Sequence, residues 1–399
     1  MKLKTELFFL TLIVASCNTM VPFIATDYCI QPSNSIGYNT SIFDDVSDFP
    51  PQEIAPPSPW LAVEDISNLT TSPISLNIDL GKEILWLNLG SARINGNFEH
   101  KIILYNPENA TFTNLTLETP YAISRDFNFT ADGSIWVRNI FTPENDKNFP
   151  ILSKYNYDSN SNTLTLERDV AFYPDTFTSE DLSSQFYDGE LINQTRLLID
   201  NDGAIWFFPP SRAIYRYDPS VGKINEVAQL PNLVVSYVAA NETKTIFFTG
   251  YSPATGPLSE RLFSFDTKLY EANEIVYRLE PWPLLGSNLK FDRSGRLWFG
   301  GLGWMESDEK WMQLIRQPIF VLYGQSQDPL SPRWRNPFLL LESSDGRLWF
   351  TSENGNAWLD LEKEKWCWFT TYQSNIVEDS DHNLWMVADG KLYKNPLGK

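Results

Sequence analysis

Residues 345-DGRLWFTSENGNAWLDLEK-363 place two turn signals and two aromatic runs within nineteen positions. Asp-Gly and Asn-Gly supply residues that tolerate positive φ, so each closes a tight hairpin. In the strand between them neighbouring side chains point to opposite faces, which puts Leu348 and Trp349 on different sides of a sheet. A strand that is apolar on both faces needs cover on both.

Pieces of this phrase recur along the chain. Clear copies are 132-DGSIWV-137, 202-DGAIWFF-208, 294-SGRLWFG-300 and 381-DHNLWM-386, and weaker ones are 81-GKEILWL-87 and 242-ETKTIFF-248. Aligning the aromatic gives Trp86, Trp136, Trp206, Phe247, Trp298, Trp349 and Trp385, at spacings of 50, 70, 41, 51, 51 and 36 residues. Such a period matches the blade of a β-propeller, a four-stranded antiparallel sheet wedged between two neighbours. Short apolar runs before the turns, such as 196-RLLID-200 and 337-PFLLL-341, read as first strands. Downstream hairpins, such as 155-YNYDSNSNTLTLER-168 and 215-YRYDPSVGKINEVAQL-230, read as third and outer strands. The last copy ends after a third strand, whereas 60-WLAVEDISNLT-70 precedes the first full repeat without a blade of its own. That segment is expected to supply the missing outer strand, leaving no open edge. The fold class is therefore all-β: a seven-bladed β-propeller over residues 60–399, closed by an N-terminal strand.

Ahead of it, MKLKTELFFLTLIVASC has two lysines, an apolar run from Leu7 to Val14 and small residues before Cys17. This reads as a secretory signal over 1–16, too short to span a bilayer. Val14-Ala15-Ser16-Cys17 resembles the lipobox of bacterial lipoproteins. The resemblance implies cleavage before Cys17, acylation of that cysteine, and an exported protein tethered to the outer face of the cell membrane or to the outer membrane. Residues 17–59 would then be a lipidated N-terminus and spacer rich in Asn, Ser, Thr, Asp and Pro, with a local contact around Tyr28-Cys29. In an oxidising compartment Cys29 and Cys367 can form a disulfide; the alternative is that Cys367, between Trp366 and Trp368, is one more strand residue.

The formal charge of -19 is the wrong sign for a phosphate backbone and argues against nucleic acid as a partner. It also leaves the lipid as the only membrane contact and suits a soluble, monomeric exported body. Two intervals are long, around 171–191 and 301–337. Insertions on a rigid scaffold either carry specificity or decorate outer strands. Trp304, Trp311, Tyr323 and Trp334 in the second interval are the candidate ligand contacts, in an otherwise unknown ligand or protein interface. Carboxylate pairs such as Asp200 with Asp202 and Asp379 with Asp381 read as turn residues rather than cation ligands, because the second pair lacks the glycine and closing acid of a calcium loop. No zinc pattern, nucleophile elbow or phosphate loop appears, so no catalytic residue, metal or cofactor is assigned.

The refrain resembles the repeat of the two-component-regulator propellers, Asp-x-x-Gly-x-Leu-Trp-hydrophobic-Gly-Thr. That resemblance implies an extracytoplasmic sensor or binding module, whose signalling output would need a partner because the chain has no kinase. Residues 202-DGAIWFFPPSRAIYRYDPSVGKINEV-227 are also similar to the repeats of seven-bladed streptogramin lyases, which implies an alternative: a metal-dependent lyase or hydrolase. Those enzymes use a glutamate and histidines on one face. Glu353 lies near the position of that acid, but His100 and His382 follow no Trp-Phe-Thr run and both read as solvent or turn residues. Carboxylates converging on the central channel would favour the enzyme.

Overall fold

The computed structural model describes residues 28–30 and, within 60–396, all but 67–74, 141–149, 172–194, 253–260, 276–287, 306–310, 314–337, 371–374 and scattered turn residues. Seven antiparallel sheets follow one another along the chain. From innermost to outermost strand, blade 1 is Ser75–Asp79, Ile84–Ile94, Asn97–Asn106 and Thr111–Thr119; blade 2 is Ala122–Phe129, Ser134–Ile140, Pro150–Asp158 and Thr163–Ala171. Blade 3 is Arg196–Ile199, Ile205–Phe208, Ala213–Asp218 and Lys223–Gln229; blade 4 is Val234–Ala240, Thr245–Tyr251, Arg261–Asp266 and Glu271–Ile275. Blade 5 is Leu289–Phe291, Leu297–Phe299, Gly303–Met305 and Trp311–Gln313; blade 6 is Phe338–Glu342, Arg347–Ser352, Gly355–Asp360 and Lys365–Phe369. Blade 7 takes Ile376–Glu378, Asn383–Ala388 and Lys391–Pro396 from the C-terminus and Leu61–Asp65 as its outer strand.

The ring thus closes as the truncated last repeat demands. Leu61 pairs with Lys394 and Asp65 with Lys391, and the Ile66 N–H donates to Gly390 O at 2.7 Å. Blade 6 carries a fifth strand, Tyr28–Ile30, antiparallel to Lys365–Phe369. The second long interval begins later than the sequence reading placed it. Gly303–Met305 and Trp311–Gln313 are blade strands, and only 314–337 lies between blades 5 and 6. Strands of three residues are too short for periodicity to reveal.

The core is a set of inter-blade wedges. Each refrain aromatic faces the following blade while its successor faces the preceding one. Trp136 packs with Ile205, Phe207 and Tyr217 of blade 3; Trp206 packs with Phe248 and Phe265 of blade 4. Phe350 of blade 6 meets Trp298 of blade 5 at a centroid distance of 5.7 Å. All six refrain tryptophans are buried.

A second regularity fixes these rings. In four blades the residue just after the first strand, six before the tryptophan, accepts the indole N–H. Trp206 Nε1 donates to Asp200 Oδ2 at 2.9 Å, Trp298 Nε1 to Asp292 Oδ2 at 2.7 Å, Trp349 Nε1 to Ser343 Oγ at 2.9 Å and Trp385 Nε1 to Asp379 Oδ2 at 2.7 Å. The same carboxylates hold the turn: Asp292 Oδ1 accepts from the Ser294 and Arg296 N–H groups, and Asp379 Oδ1 from the Asn383 N–H. Where the aromatic is Phe247, with no N–H to place, the position is Asn241, whose side chain accepts from the Thr245 N–H. In blade 1 the turn is one residue longer, and Trp86 Nε1 has no acceptor among the described residues.

Candidate binding face

In a meander of this kind, first-to-second and third-to-outer turns emerge on one face of the ring. Second-to-third turns and the passages between blades emerge on the other. On the first face every connection within the repeats is four or five residues long. On the second they range from the pairs 95–96 and 120–121 to the 24-residue segments 172–195 and 314–337. Nearly all variation in connection length is therefore on one side. A rigid frame with variable loops on one side is the arrangement by which scaffolds present a binding surface.

The short-turn face is tied down. Arg293 donates from its backbone N–H to Glu342 and from its guanidinium to Glu378 Oε2 at 2.8 Å, while the Ser344 N–H donates to Glu378 Oε1 at 2.8 Å. These carboxylates approach the channel exit but are held by blades 5 and 6, so they link neighbours rather than present free acids. His382 stands in the last such turn at φ 63°, where most copies have a glycine.

Inside the channel Lys290, on the innermost strand of blade 5, donates to Leu340 O of blade 6. Its side chain is exposed, yet enclosing protein lowers its pKa, as expected for a cation standing in a narrow channel. Asn288 completes the tie between these blades, donating to Leu339 O and accepting from Leu339 N.

At the loop-bearing end the refrain stops being uniform. Two residues past the aromatic, on the same side of the blade, stand Asn88, Arg138, Phe208, Thr249, Thr351 and Val387. The hydroxyls of Thr249 and Thr351 are buried without a hydrogen-bond partner among the described residues. Arg138 is half-buried, and the nearby charge of Arg196 and the burial itself hold its pKa at about 10, burial being the larger cause. Arg196, at the start of blade 3's innermost strand, lies over the Tyr237 ring of blade 4 at 5.8 Å. Its Nε is shut off from solvent and has no acceptor among the described residues.

His100 is a correction to the sequence reading, since it is neither a solvent nor a turn residue. The second and third strands of blade 1 are unusually long, so His100 lies inside a strand and is 1% exposed. Its Nε2 is 3.1 Å from both Thr119 Oγ1 and Tyr121 O. The carbonyl can only accept, so Nε2 carries a proton. Burial lowers its pKa.

Of the ligand contacts expected from sequence, Trp304 is a blade residue, its ring 4.9 Å from that of Trp298 and capped by Arg296 at 6.0 Å. It is 9% exposed, which leaves a ligand little to touch. Trp311 lies on the outer strand of blade 5. Tyr323, Trp334, Glu353 and Cys17 lie outside the described residues. Asp200 and Asp379 each use both carboxylate oxygens on N–H donors, as turn residues do. Among the described residues no group of three or more His, Cys, Asp or Glu side chains is placed to hold a metal ion.

No protein-family model matches the chain, and no curated protein sequence matches it. Solved structures similar to it include YCF48 bound to a D1 peptide, at 15% identity over 85% of this chain and 96% of that one, with a TM-score of 0.48. Another is the extracellular domain of a hybrid two component system from B. thetaiotaomicron, at 14% identity and a TM-score of 0.36 over 81% of this chain; the match covers 50% of that domain. A third is an auxiliary nutrient binding protein from Bacteroides thetaiotaomicron, at 10% identity over 82% of this chain and 69% of that one, with a TM-score of 0.39. The assignment of the fold rests on the strand pairing above.

Proposed function

We propose that the protein is exported, held at a membrane by a lipid on Cys17, and acts as a binding or interaction module through the face that carries its variable connections. The observation that carries the reading is the asymmetry of the ring: uniform turns on one face, connections of 2 to 24 residues on the other. Selection for packing alone gives no reason to confine length variation to one side. The unpartnered hydroxyls of Thr249 and Thr351 and the Nε of Arg196, all at the loop-bearing end of their blades, add polar groups that a ligand could satisfy. The N-terminal lysines, the apolar run and the small residues before Cys17 support export and anchoring.

A thermal-shift screen of glycans, peptides and metal ions tests the module. A hit should disappear when residues 315–336 or 173–194 are replaced by short Gly-Ser linkers, and should survive lengthening of the 267–270 turn on the opposite face. Loss on the second change with retention on the first would overturn the assignment of the face. Mass spectrometry of the mature N-terminus tests the anchor: a diacylated or triacylated Cys17 is expected, and cleavage elsewhere with an unmodified Cys17 would remove it.

A further inference from the structure

We propose that Cys29 and Cys367 form a disulfide that turns the N-terminal segment into a strap, covering the outer edge of blade 6 and shortening the tether between propeller and membrane. The strand Tyr28–Ile30 pairs antiparallel with blade 6's outer strand in the register Tyr28 with Trp368, Cys29 with Cys367 and Ile30 with Trp366. Directly opposed residues in an antiparallel pair have Cα atoms about 4.5 to 5.5 Å apart. A disulfide needs about 4.4 to 6.8 Å, so the ladder brings the two residues to bonding distance. The chain has three cysteines in 399 residues, and two of them share the middle rung of this ladder.

The edge itself gives a reason for the strap. The outer strands of blades 1, 2, 3, 4 and 7 each carry an acid, as in Glu118, Glu167, Glu226, Glu274 and Glu64, and that of blade 5 is only three residues long. Charge and shortness are both ways to keep a sheet edge from pairing with another chain. The outer strand of blade 6 has neither: Lys365–Phe369 reads Lys-Trp-Cys-Trp-Phe, with three aromatics and no acid. Tyr28–Ile30 occupies that edge over Trp366, Cys367 and Trp368. Three rungs are few for joining segments that lie most of the propeller apart in sequence. A covalent rung restricts the unfolded chain, and so lowers the entropy lost on bringing them together.

The second consequence rests on the reading that the protein is exported and acylated at Cys17. From Cys17 to Tyr28 a chain reaches about 40 Å at most, whereas from Cys17 to the closing strand at Leu61 it reaches about 160 Å. The bond therefore keeps the rim at blade 6 near the bilayer, and its reduction lets the propeller range several times farther. In the exported protein one cysteine thiolate attacks the disulfide of an oxidised dithiol oxidoreductase, and the other displaces the mixed disulfide. A protein S–S bond forms, and the oxidoreductase leaves with two thiols, having taken two electrons and two protons.

Non-reducing peptide mapping of protein purified from the exporting host should yield a linked Cys29–Cys367 peptide pair and no free thiol at either position. The full chain carrying Cys17→Ser, reduced and then placed in a buffer of oxidised and reduced glutathione, should form the same bond without any export step. The bond in glutathione with free thiols in the cell would support the pairing and overturn export. Free thiols at Cys29 and Cys367 in glutathione would overturn the strap. In the oxidised protein with a protease site inserted between residues 44 and 45, the fragment ahead of the cut should stay with the propeller and leave on reduction. With Cys29→Ser it should leave at once. Reduction should lower the melting temperature of the uncut protein by about 2 to 5 °C and leave that of Cys29→Ser unchanged. Release of the fragment before reduction, its retention after verified reduction, or one melting temperature in both states would also overturn the strap.

Discussion

Ring closure makes a quantitative demand on two side chains at the start of the propeller. Trp60 is fully buried and meets Trp349 edge-on at 6.0 Å, in a cluster with Trp358 of blade 6 and Ile376, Leu384, Met386 and Tyr393 of blade 7. Ile66, also fully buried, packs with Leu76, Leu85 and Tyr105 of blade 1 and with Trp385 and Leu392 of blade 7. The closing segment therefore seals one interface with each end. Truncating a buried tryptophan costs about 3 to 5 kcal/mol and a buried isoleucine about 2 to 5. The two sites share no cluster, so the losses should add, to about 5 to 10 kcal/mol in the double variant. Whole domains are stable by only about 5 to 15 kcal/mol. In urea unfolding followed by tryptophan fluorescence, Trp60→Ala and Ile66→Ala should each shift the midpoint clearly, and the double variant should be largely unfolded without denaturant. Leu61→Ala, at a position 37% exposed on the same strand, should stay within about 0.5 kcal/mol of the parent. If Trp60→Ala and Ile66→Ala each fell within about 1 kcal/mol of the parent, or a chain beginning at Thr71 melted with the intact protein, closure by this segment would be refuted.

Three other outcomes are expected. Asp292→Ala leaves the Trp298 N–H buried without an acceptor and frees the turn, and should cost about 3 kcal/mol in urea unfolding; Asp292→Ser, the solution used by Ser343 in blade 6, should cost less. His382→Gly relieves a left-handed backbone at φ 63° and should stabilise by about 0.5 to 1 kcal/mol, because the exposed imidazole's 3.5 Å approach to Glu378 contributes little; an unchanged or lower midpoint would contradict this. His100 has a folded-state pKa below 6.5, so between that value and 6.5 the unfolded chain binds more protons and stability falls as pH falls. Melting temperatures measured from about pH 7.5 down to 5 should therefore decline less steeply in a folded His100→Gln variant than in the parent.

Much of the ring is written in the sequence because each blade repeats one solution to one problem. The Trp349 phrase marks a second strand covered on both faces, and the missing outer strand after 384-LWMVADGKLYKNPLGK-399 announces that another segment must close blade 7. Less legible was the acceptor six residues before the indole, since Asp200, Asp292, Ser343 and Asp379 differ in type and share only a position. A register count from each tryptophan could have found it. The burial of His100 depends on how far two strands of blade 1 outgrow their counterparts, which a local turn pattern does not encode. Trp304 could not be sorted from sequence, because an aromatic after a long connection looks the same on a strand as on a loop.

The pairing of Leu61 with Lys394 also sets a schedule. The two partners are separated by nearly the whole propeller, so the closing strand is made first and completed last. At synthesis rates of about 5 to 20 residues per second, roughly 15 to 70 s pass between the appearance of the one and of the other. During that interval Leu61–Asp65 has no ladder to join and the interfaces of the last blade stay open. A chain of this design must be kept from premature association until its final strand arrives, and a transcript cut short anywhere before Lys391–Pro396 would leave the first strand permanently without its place.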